Sequence, residues 1–210
     1  MDEFDQKLDI HEESSEEIVE KIPGRDVYET ISSLVSALLV VTLVFTFVVR
    51  LMGVSGPSMI PTLQDGDRLL VVNSLLCGEY EAGDIVIVRK ESFDAQPIVK
   101  RVIATEGQEV EIDFENWTVK VDGVLLEEDY INRDVNYDGV NDDRYVWMAS
   151  PTGERVLRFT VEPGKLFVMG DNRNHSTDSR SSTVGQVDER QVLGRVLLRL
   201  FPFSAFGTVE

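Results

Sequence analysis

Cysteine is nearly absent from this chain. Cys77 is alone among 210 residues, so no internal disulfide can form, and with no metal-binding or redox motif around it Cys77 reads as a packed or loop thiol. Histidine is almost as scarce. His11 lies in an acidic N-terminal stretch and His175 has no orienting partner pattern, which leaves a Ser-His-Asp triad and a histidine-rich metal site with little to stand on. Basic residues are outnumbered, 20 Lys and Arg against 38 Asp and Glu for a net charge of −18, so the chain does not carry the clustered cations that hold a phosphate backbone, and no nucleic-acid partner is expected. Internal repeats and low-complexity tracts are also missing.

One stretch lacks charge altogether. Residues Ile31 to Val49, ISSLVSALLVVTLVFTFVV, run nineteen residues without Asp, Glu, Lys or Arg. At ~1.5 Å per residue this spans ~28 Å, close to the hydrocarbon thickness of a bilayer. Its serines and threonines can bond back to their own helix. The lead-in is acidic and the run is long, whereas a cleaved signal peptide has a basic lead-in and a shorter apolar core, so a retained anchor over residues 27–52 is predicted. Lys21 and Arg25 before the run balance Arg50 and Arg68 after it, and the positive-inside rule therefore does not choose an orientation. Residues 1–26 are acidic and poor in aromatics, the composition of a disordered tail.

Beyond residue 53 the pattern is of short strands. Arg68–Val72, Ile85–Val88, Val99–Ala104, Val156–Val161 and Leu166–Met169 are β-branched or apolar runs bounded by Gly, Asp or Pro. Trp117–Lys120 and Val124–Leu126 flank Asp122-Gly123, a hairpin signal, and Gln191–Phe201 closes the chain as a mixed apolar run. The expected fold is mainly β: a single N-terminal transmembrane helix followed by a mostly antiparallel β-sheet domain over 53–210, with an insertion at about 127–155.

Three segments carry candidate chemistry. In Ser55-Gly56-Pro57-Ser58-Met59-Ile60-Pro61, Gly56 permits a tight turn and the two prolines stiffen the loop, which suits a nucleophile held in attack geometry; a Pro/Gly turn alone would read the same way. With histidine unsupported, the base for Ser58 would be a neutral lysine. Lys100 sits in Val99-Lys100-Arg101-Val102, where strand alternation puts Ile98 and Val102 on its own face and Arg101 on the other. Apolar burial lowers a lysine pKa from ~10.4, and bringing it near neutrality destabilises the ammonium by ~3–6 kcal/mol at ~1.4 kcal/mol per pH unit. A lysine snorkelling from an edge strand is the plain alternative. The third segment, Gly170-Asp171-Asn172-Arg173-Asn174-His175-Ser176-Thr177-Asp178-Ser179-Arg180, is dense in turn formers; it offers hydroxyls and an Asp/Arg pair, or is a polar surface loop.

In this order, after an apolar run, the blocks at 55–63, 66–72, 83–88 with 99–104, and 170–180 resemble type I signal peptidases of the bacterial, Gram-positive-like branch. The resemblance implies Ser58 as nucleophile, Lys100 as general base and Ser176 as the hydroxyl that positions the lysine. It implies Asp178 and Arg180 as an ion pair bracing the loop, with Arg101 joining Asp178. Met59 and Val99 fall where the family builds its substrate pockets, and Gly56 leaves the oxyanion hole to backbone N–H groups, chiefly that of Ser58. It further implies a membrane-anchored serine endopeptidase that removes signal peptides from exported preproteins after an Ala-X-Ala type sequence. Such an enzyme uses no cofactor, works as a monomer against the lipid bilayer, and holds its N-terminus in the cytoplasm and its catalytic domain outside. Two other readings remain open on the residues themselves: a self-cleaving repressor-type Ser/Lys protease, which calls for a DNA-binding segment in place of the anchor, and a non-catalytic tethered β module. One further loop, with Asp134, Asn136, Asp138 and Asp142, resembles part of a calcium loop; Tyr145 stands where the closing acid would be, and an Asp/Asn/Gly turn is the competing reading.

Overall fold

The computed structural model describes residues 24–89, 96–131 and 154–209, and the chain divides into two units, 1–46 and 47–210. Most of the predicted tail, most of the predicted insertion and all of the calcium-like loop fall outside the described residues. In the first unit, helix α1 (Arg25–Leu43) passes into five residues of π-helix at Val44–Val48. Together, Arg25–Val48 are long and apolar enough to cross a membrane. The helix begins six residues before the uncharged run because its first turn is stabilised locally: Asp26 lies at the positive end of the dipole, and Arg25 pairs with Glu29 one turn on. Its hydroxyls bond backward, Thr42 Oγ1 to the Leu38 carbonyl and Thr46 Oγ1 to that of Thr42, both at 2.7 Å, so they present no unsatisfied donor to an apolar surrounding.

The second unit is antiparallel throughout, as expected. Its strands are β1 (Val49–Gly53), β2 (Arg68–Asn73), β3 (Ile85–Val88), β4 (Ile98–Ala104), β5 (Glu109–Asp113), β6 (Thr118–Val121), β7 (Val124–Leu125), β8 (Val156–Thr160), β9 (Lys165–Met169), β10 (Val187–Asp188), β11 (Val192–Phe201) and β12 (Gly207–Thr208). One sheet runs β1-β2-β11-β3-β4-β9-β10, with β12 also on β11; the other runs β7-β6-β5-β8. Val49–Gly53, which the sequence places at the end of the anchor, is instead the edge strand of the large sheet, paired with β2 from Val49↔Val72 to Gly53↔Arg68. Val49 and Met52 are half-buried, Met52 against the core, while Arg50, Leu51 and Gly53 are exposed, so the strand lacks the alternation that would mark it in the sequence.

β5 is not among the strands expected from the sequence, although its alternation is legible. Val110 and Ile112 are fully buried, while Glu109, Glu111 and Asp113 face outward, Glu111 reaching Lys120 on one neighbour and Arg158 on the other. The hairpin turn at Asp122-Gly123 has positive φ at both residues, 51° and 78°, the hand that matches strand twist.

Three apolar clusters fill the unit. One joins the small sheet to the large through Ile103, Val110, Phe114, Val119 and Phe167. A second holds Met59, Leu63, Leu69, Val71 and Ile87; a third holds Val86, Val88, Val102, Leu166 and Val168. Central strands β3 and β4 contribute to both of the latter, Val99 to one and Ile98 with Val102 to the other, so a polar side chain on β4 is set into apolar surroundings.

Candidate active site

The loop between β1 and β2 presents Ser58, and it is fixed from several sides. Gly56 takes a left-handed φ of 88°, and its N–H donates to Asp65 Oδ1 at 2.9 Å. Met59 and Leu63 are buried beneath it. Thr62 Oγ1 donates to Asp171 Oδ2 at 2.5 Å, and Arg199 donates to the Thr62 carbonyl at 3.0 Å. Asn172 bonds twice: its backbone N–H to the Ser58 carbonyl at 3.0 Å, and its side-chain amide to the Pro57 carbonyl at 3.1 Å. Ser58 is half-buried, and among the described residues nothing accepts from its backbone N–H.

Lys100 faces this loop from β4. It is 2% exposed, and its Nζ lies 2.8 Å from Ser58 Oγ and 2.8 Å from the Val99 carbonyl. Burial is the main reason its pKa falls from 10.5 to about 8; Asp178 and Asp171 pull it back up, and Arg180 pushes it further down. The fall corresponds to about 3 kcal/mol of destabilised ammonium. A solvated lysine at a strand edge would have neither the burial nor the lowered pKa. As an ammonium, Lys100 donates to both partners. Once neutral, it keeps Val99 as acceptor and offers its lone pair to the Ser58 hydroxyl.

The segment 170–180 braces both. Asp178 and Arg180 are paired with side chains fully buried, Nε to Oδ1 and Nη2 to Oδ2 each at 2.8 Å, and Asp178 also accepts from the Gly170 N–H at 2.9 Å. Burial is the largest influence and opposes the Asp178 charge, but the Arg180 guanidinium, the Gly170 N–H and Ser176 together outweigh it and hold the carboxyl below its usual range.

Two details of this bracing differ from the sequence reading. Arg101 bonds to Asp171 and not to Asp178: Nε reaches Oδ1 at 2.9 Å and Nη2 reaches Oδ2 at 2.8 Å, with Nη1 on the Gly83 carbonyl at 3.0 Å. Asp178 already has both oxygens engaged by Arg180 and Gly170, whereas Asp171 presents an open bidentate edge. Ser176 is buried, and its hydroxyl, expected to position Lys100, is not among the hydrogen-bond partners of that amine. It rests over Gly170 and close enough to Asp178 to help lower that carboxyl, without hydrogen-bond geometry to another group.

A cleft of about 200 Å³ opens over the dyad, between the end of β1 and the start of β4, lined by Met52, Gly53, Ser55, Ser58, Pro97 and Val99 among others. Val99 is thus part of the cleft wall. Met59, expected beside it, is 1% exposed and belongs to the core below, because the loop turns its side chain inward. Among the described residues no group of three or more His, Cys, Asp and Glu side chains is placed to hold a metal ion.

Asp171, Asn172, Thr62, Glu128 and Tyr130 have no role assigned from the sequence. Burial of Asp171, Asn172 and Glu128 at 0–3% exposure is the signal that marks them, and one sequence does not reveal burial of polar residues outside apolar runs.

A family model described as signal peptidase, peptidase S26, matches residues 27–201. Signal peptidase IB of Staphylococcus aureus (strain COL) is 33% identical over 184 residues, covering 87% of this chain and 93% of the relative. Probable signal peptidase I-1 of Synechocystis sp. is 33% identical over 193 residues, with 88% of each chain covered. The crystal structure of a signal peptidase I from Enterococcus faecalis V583 is 30% identical, covers 57% of this chain and 97% of its own, and superposes with a TM-score of 0.40.

Proposed function

This chain belongs to the signal peptidase family, peptidase S26, and on that premise we propose that it is a membrane-anchored serine endopeptidase in which Ser58 attacks and Lys100 is the general base. The observation that carries the reading is the 2.8 Å approach of Lys100 Nζ to Ser58 Oγ by an amine only 2% exposed. A buried amine with a pKa near 8 is neutral in a useful fraction of molecules at neutral pH, and a hydroxyl within bonding distance is then a reachable proton donor.

The steps follow from the geometry. An extended substrate adds to the free edge of β1, backbone to backbone, and lies along the cleft toward Pro97 and Val99. The cleft is small, which favours small side chains beside the scissile bond and supports Ala-X-Ala specificity. Lys100 takes the Ser58 proton as Oγ bonds to the scissile carbonyl carbon. The carbonyl oxygen, now negative, accepts from the Ser58 N–H. Lys100 returns its proton to the leaving nitrogen, the C–N bond breaks and an acyl-Ser58 ester remains. Water, deprotonated by Lys100, then hydrolyses the ester and frees Ser58.

Three points concern placement. The apolar helix Arg25–Val48 serves as the single-pass anchor, with the residues before it as a cytoplasmic tail and the β unit after it as the catalytic unit outside, acting as a monomer. From Val48 to Ser58 is ten residues, at most ~35 Å fully extended, so the site stays within reach of the bilayer surface where a signal peptide emerges. Preprotein signal peptides and lipid are the partners. A serine-directed acylating probe tests the reading: it labels wild type and not Ser58→Ala. Equal labelling of the two would remove Ser58 as nucleophile.

A further inference from the structure

Next to the dyad lies a closed ring of groups, buried except for the half-buried Tyr130, that the reaction does not use. Arg101, the residue after Lys100, holds Asp171 by one edge, and one face of its guanidinium lies over the Tyr130 ring, Cζ 4.0 Å from the centroid. The Tyr130 hydroxyl donates to Glu128 Oε1 at 3.1 Å. Glu128 is bidentate with Arg173, whose Nε returns to the Gly170 carbonyl at 3.1 Å. Arg173 stands two residues from Asp171, which closes the ring. Its members come from β4, from the segment after β7, and from 170–173.

We propose that Tyr130 is a positioning residue for the Ser58/Lys100 pair, acting through Arg101 on Asp171. Tyr130 touches neither Ser58 nor Lys100. It covers a face of Arg101: the guanidinium's Nε and Nη2 are on Asp171 and its Nη1 is on Gly83, all contacts in the plane, and the ring adds a support that resists out-of-plane displacement. Asp171 is the hub that this plane keeps in place. It takes Thr62 of the nucleophile loop, and it precedes Asn172, which holds both Pro57 and Ser58. The phenol stays a neutral donor, because burial and then the neighbouring Glu128 carboxylate push its pKa up.

The ring also has an electrostatic consequence. The charged groups acting on Lys100 are Asp178, Arg180 and Asp171 from the 170–180 segment; Arg101, next to it on β4, reaches it through Asp171, and Glu128 pairs with Arg173 further round the ring. Arg101 held flat against Asp171 neutralises that carboxylate. A tilted Arg101 leaves more of the negative field at Lys100, which favours the ammonium, raises the lysine pKa and moves the acid limb of activity upward.

The inference rests on the proposed Ser/Lys reading, and the experiment separates the two. Wild type, Tyr130→Phe and Tyr130→Leu are compared on a short peptide with Ala-X-Ala before the bond, across pH, alongside thermal unfolding. Tyr130→Phe keeps the face and retains kcat within about twofold. Tyr130→Leu loses about tenfold in kcat at pH 7 with KM nearly unchanged, since the cleft walls are untouched, and its acid limb rises by roughly half a pH unit. Tyr130→Met, which keeps bulk without the aromatic face, is read in the same way should the leucine variant unfold. Wild-type kcat in the aliphatic variants, or a loss equal at every pH, overturns the proposal while leaving the Ser/Lys reading intact. An inactive wild type removes that reading, and this one with it.

Discussion

The side-chain amide of Asn172 donates to the Pro57 carbonyl at 3.1 Å. That carbonyl shares a trans peptide with the Ser58 N–H, and the two point in opposite directions. Holding the oxygen inward therefore aims the N–H outward, toward the place where the proposed reaction would form its oxyanion. Asn172→Ala is expected to lower kcat by about 10- to 100-fold with little change in KM, short of the ~10²–10³ for losing such a donor outright. Asn172→Asp should be worse, since a carboxylate repels the Pro57 oxygen. Steady-state kinetics on a peptide substrate check both, and a purely KM effect in Asn172→Ala would contradict this role.

Activity should depend on pH through Lys100. Its pKa of about 8 lies below the ordinary 10.5, and only the neutral amine accepts the Ser58 proton. The rate kcat/KM should therefore rise about tenfold per pH unit below pH 8 and level off above it. Lys100→Arg, which keeps a permanent charge, should abolish cleavage at every pH. A rate that holds steady down to about pH 5 would rule out the neutral amine.

The same lowered pKa has a stability cost with a definite sign. Below about pH 8 the folded protein must bury an ammonium that the unfolded chain solvates, and the penalty of about 3 kcal/mol is fully present there. As pH rises from about 8 to 10.5, the folded state is neutral while the unfolded state still gains by its charge, and the penalty fades. Lys100→Met removes the charge at similar volume. It should raise Tm by several degrees at pH 7, and the gain should shrink toward pH 10. Calorimetry at the two pH values checks it; a Tm lowered at pH 7 would show that the hydrogen bonds of Lys100 outweigh its desolvation.

Gly170 has no room for a side chain. A Cβ there would overlap the Ser176 side chain and the Ser58 carbonyl, and the latter is backbone that cannot rotate away. Gly170→Ala should destabilise the fold by about 1–3 kcal/mol and also reduce kcat, because the displaced atom belongs to the nucleophile loop. Denaturant unfolding and peptide cleavage measure the two effects; wild-type kcat in the folded variant would mean that the loop relaxes without moving Ser58.

Much of the fold is legible because its signals are local. Strands such as Ile85–Val88 and the Asp122-Gly123 hairpin announce themselves in a few consecutive residues, since side-chain alternation and left-handed turns are properties of the adjoining backbone. β1 is hidden because Val49–Gly53 is a short stretch directly after the apolar run with no alternating pattern of its own, and pairing with β2 decides its conformation. The family likeness marks Ser58 and Lys100, but which carboxylate takes Arg101 is not readable: Asp171 and Asp178 are equivalent as letters.

The chain order alone set the long uncharged segment, the β character of the residues beyond it, and the groups capable of nucleophilic chemistry without histidine. Tertiary structure alone decided that Arg101 bonds Asp171, that Asn172 grips Pro57 and Ser58, and that Met59 turns into the core. The polar choices join residues 70 and 115 positions apart, in the Arg101–Asp171 and Pro57–Asn172 bonds, and they depend on which polar groups are left unsatisfied once the sheets have closed. Burial makes that accounting strict, and burial is a property of the packed chain rather than of any stretch within it.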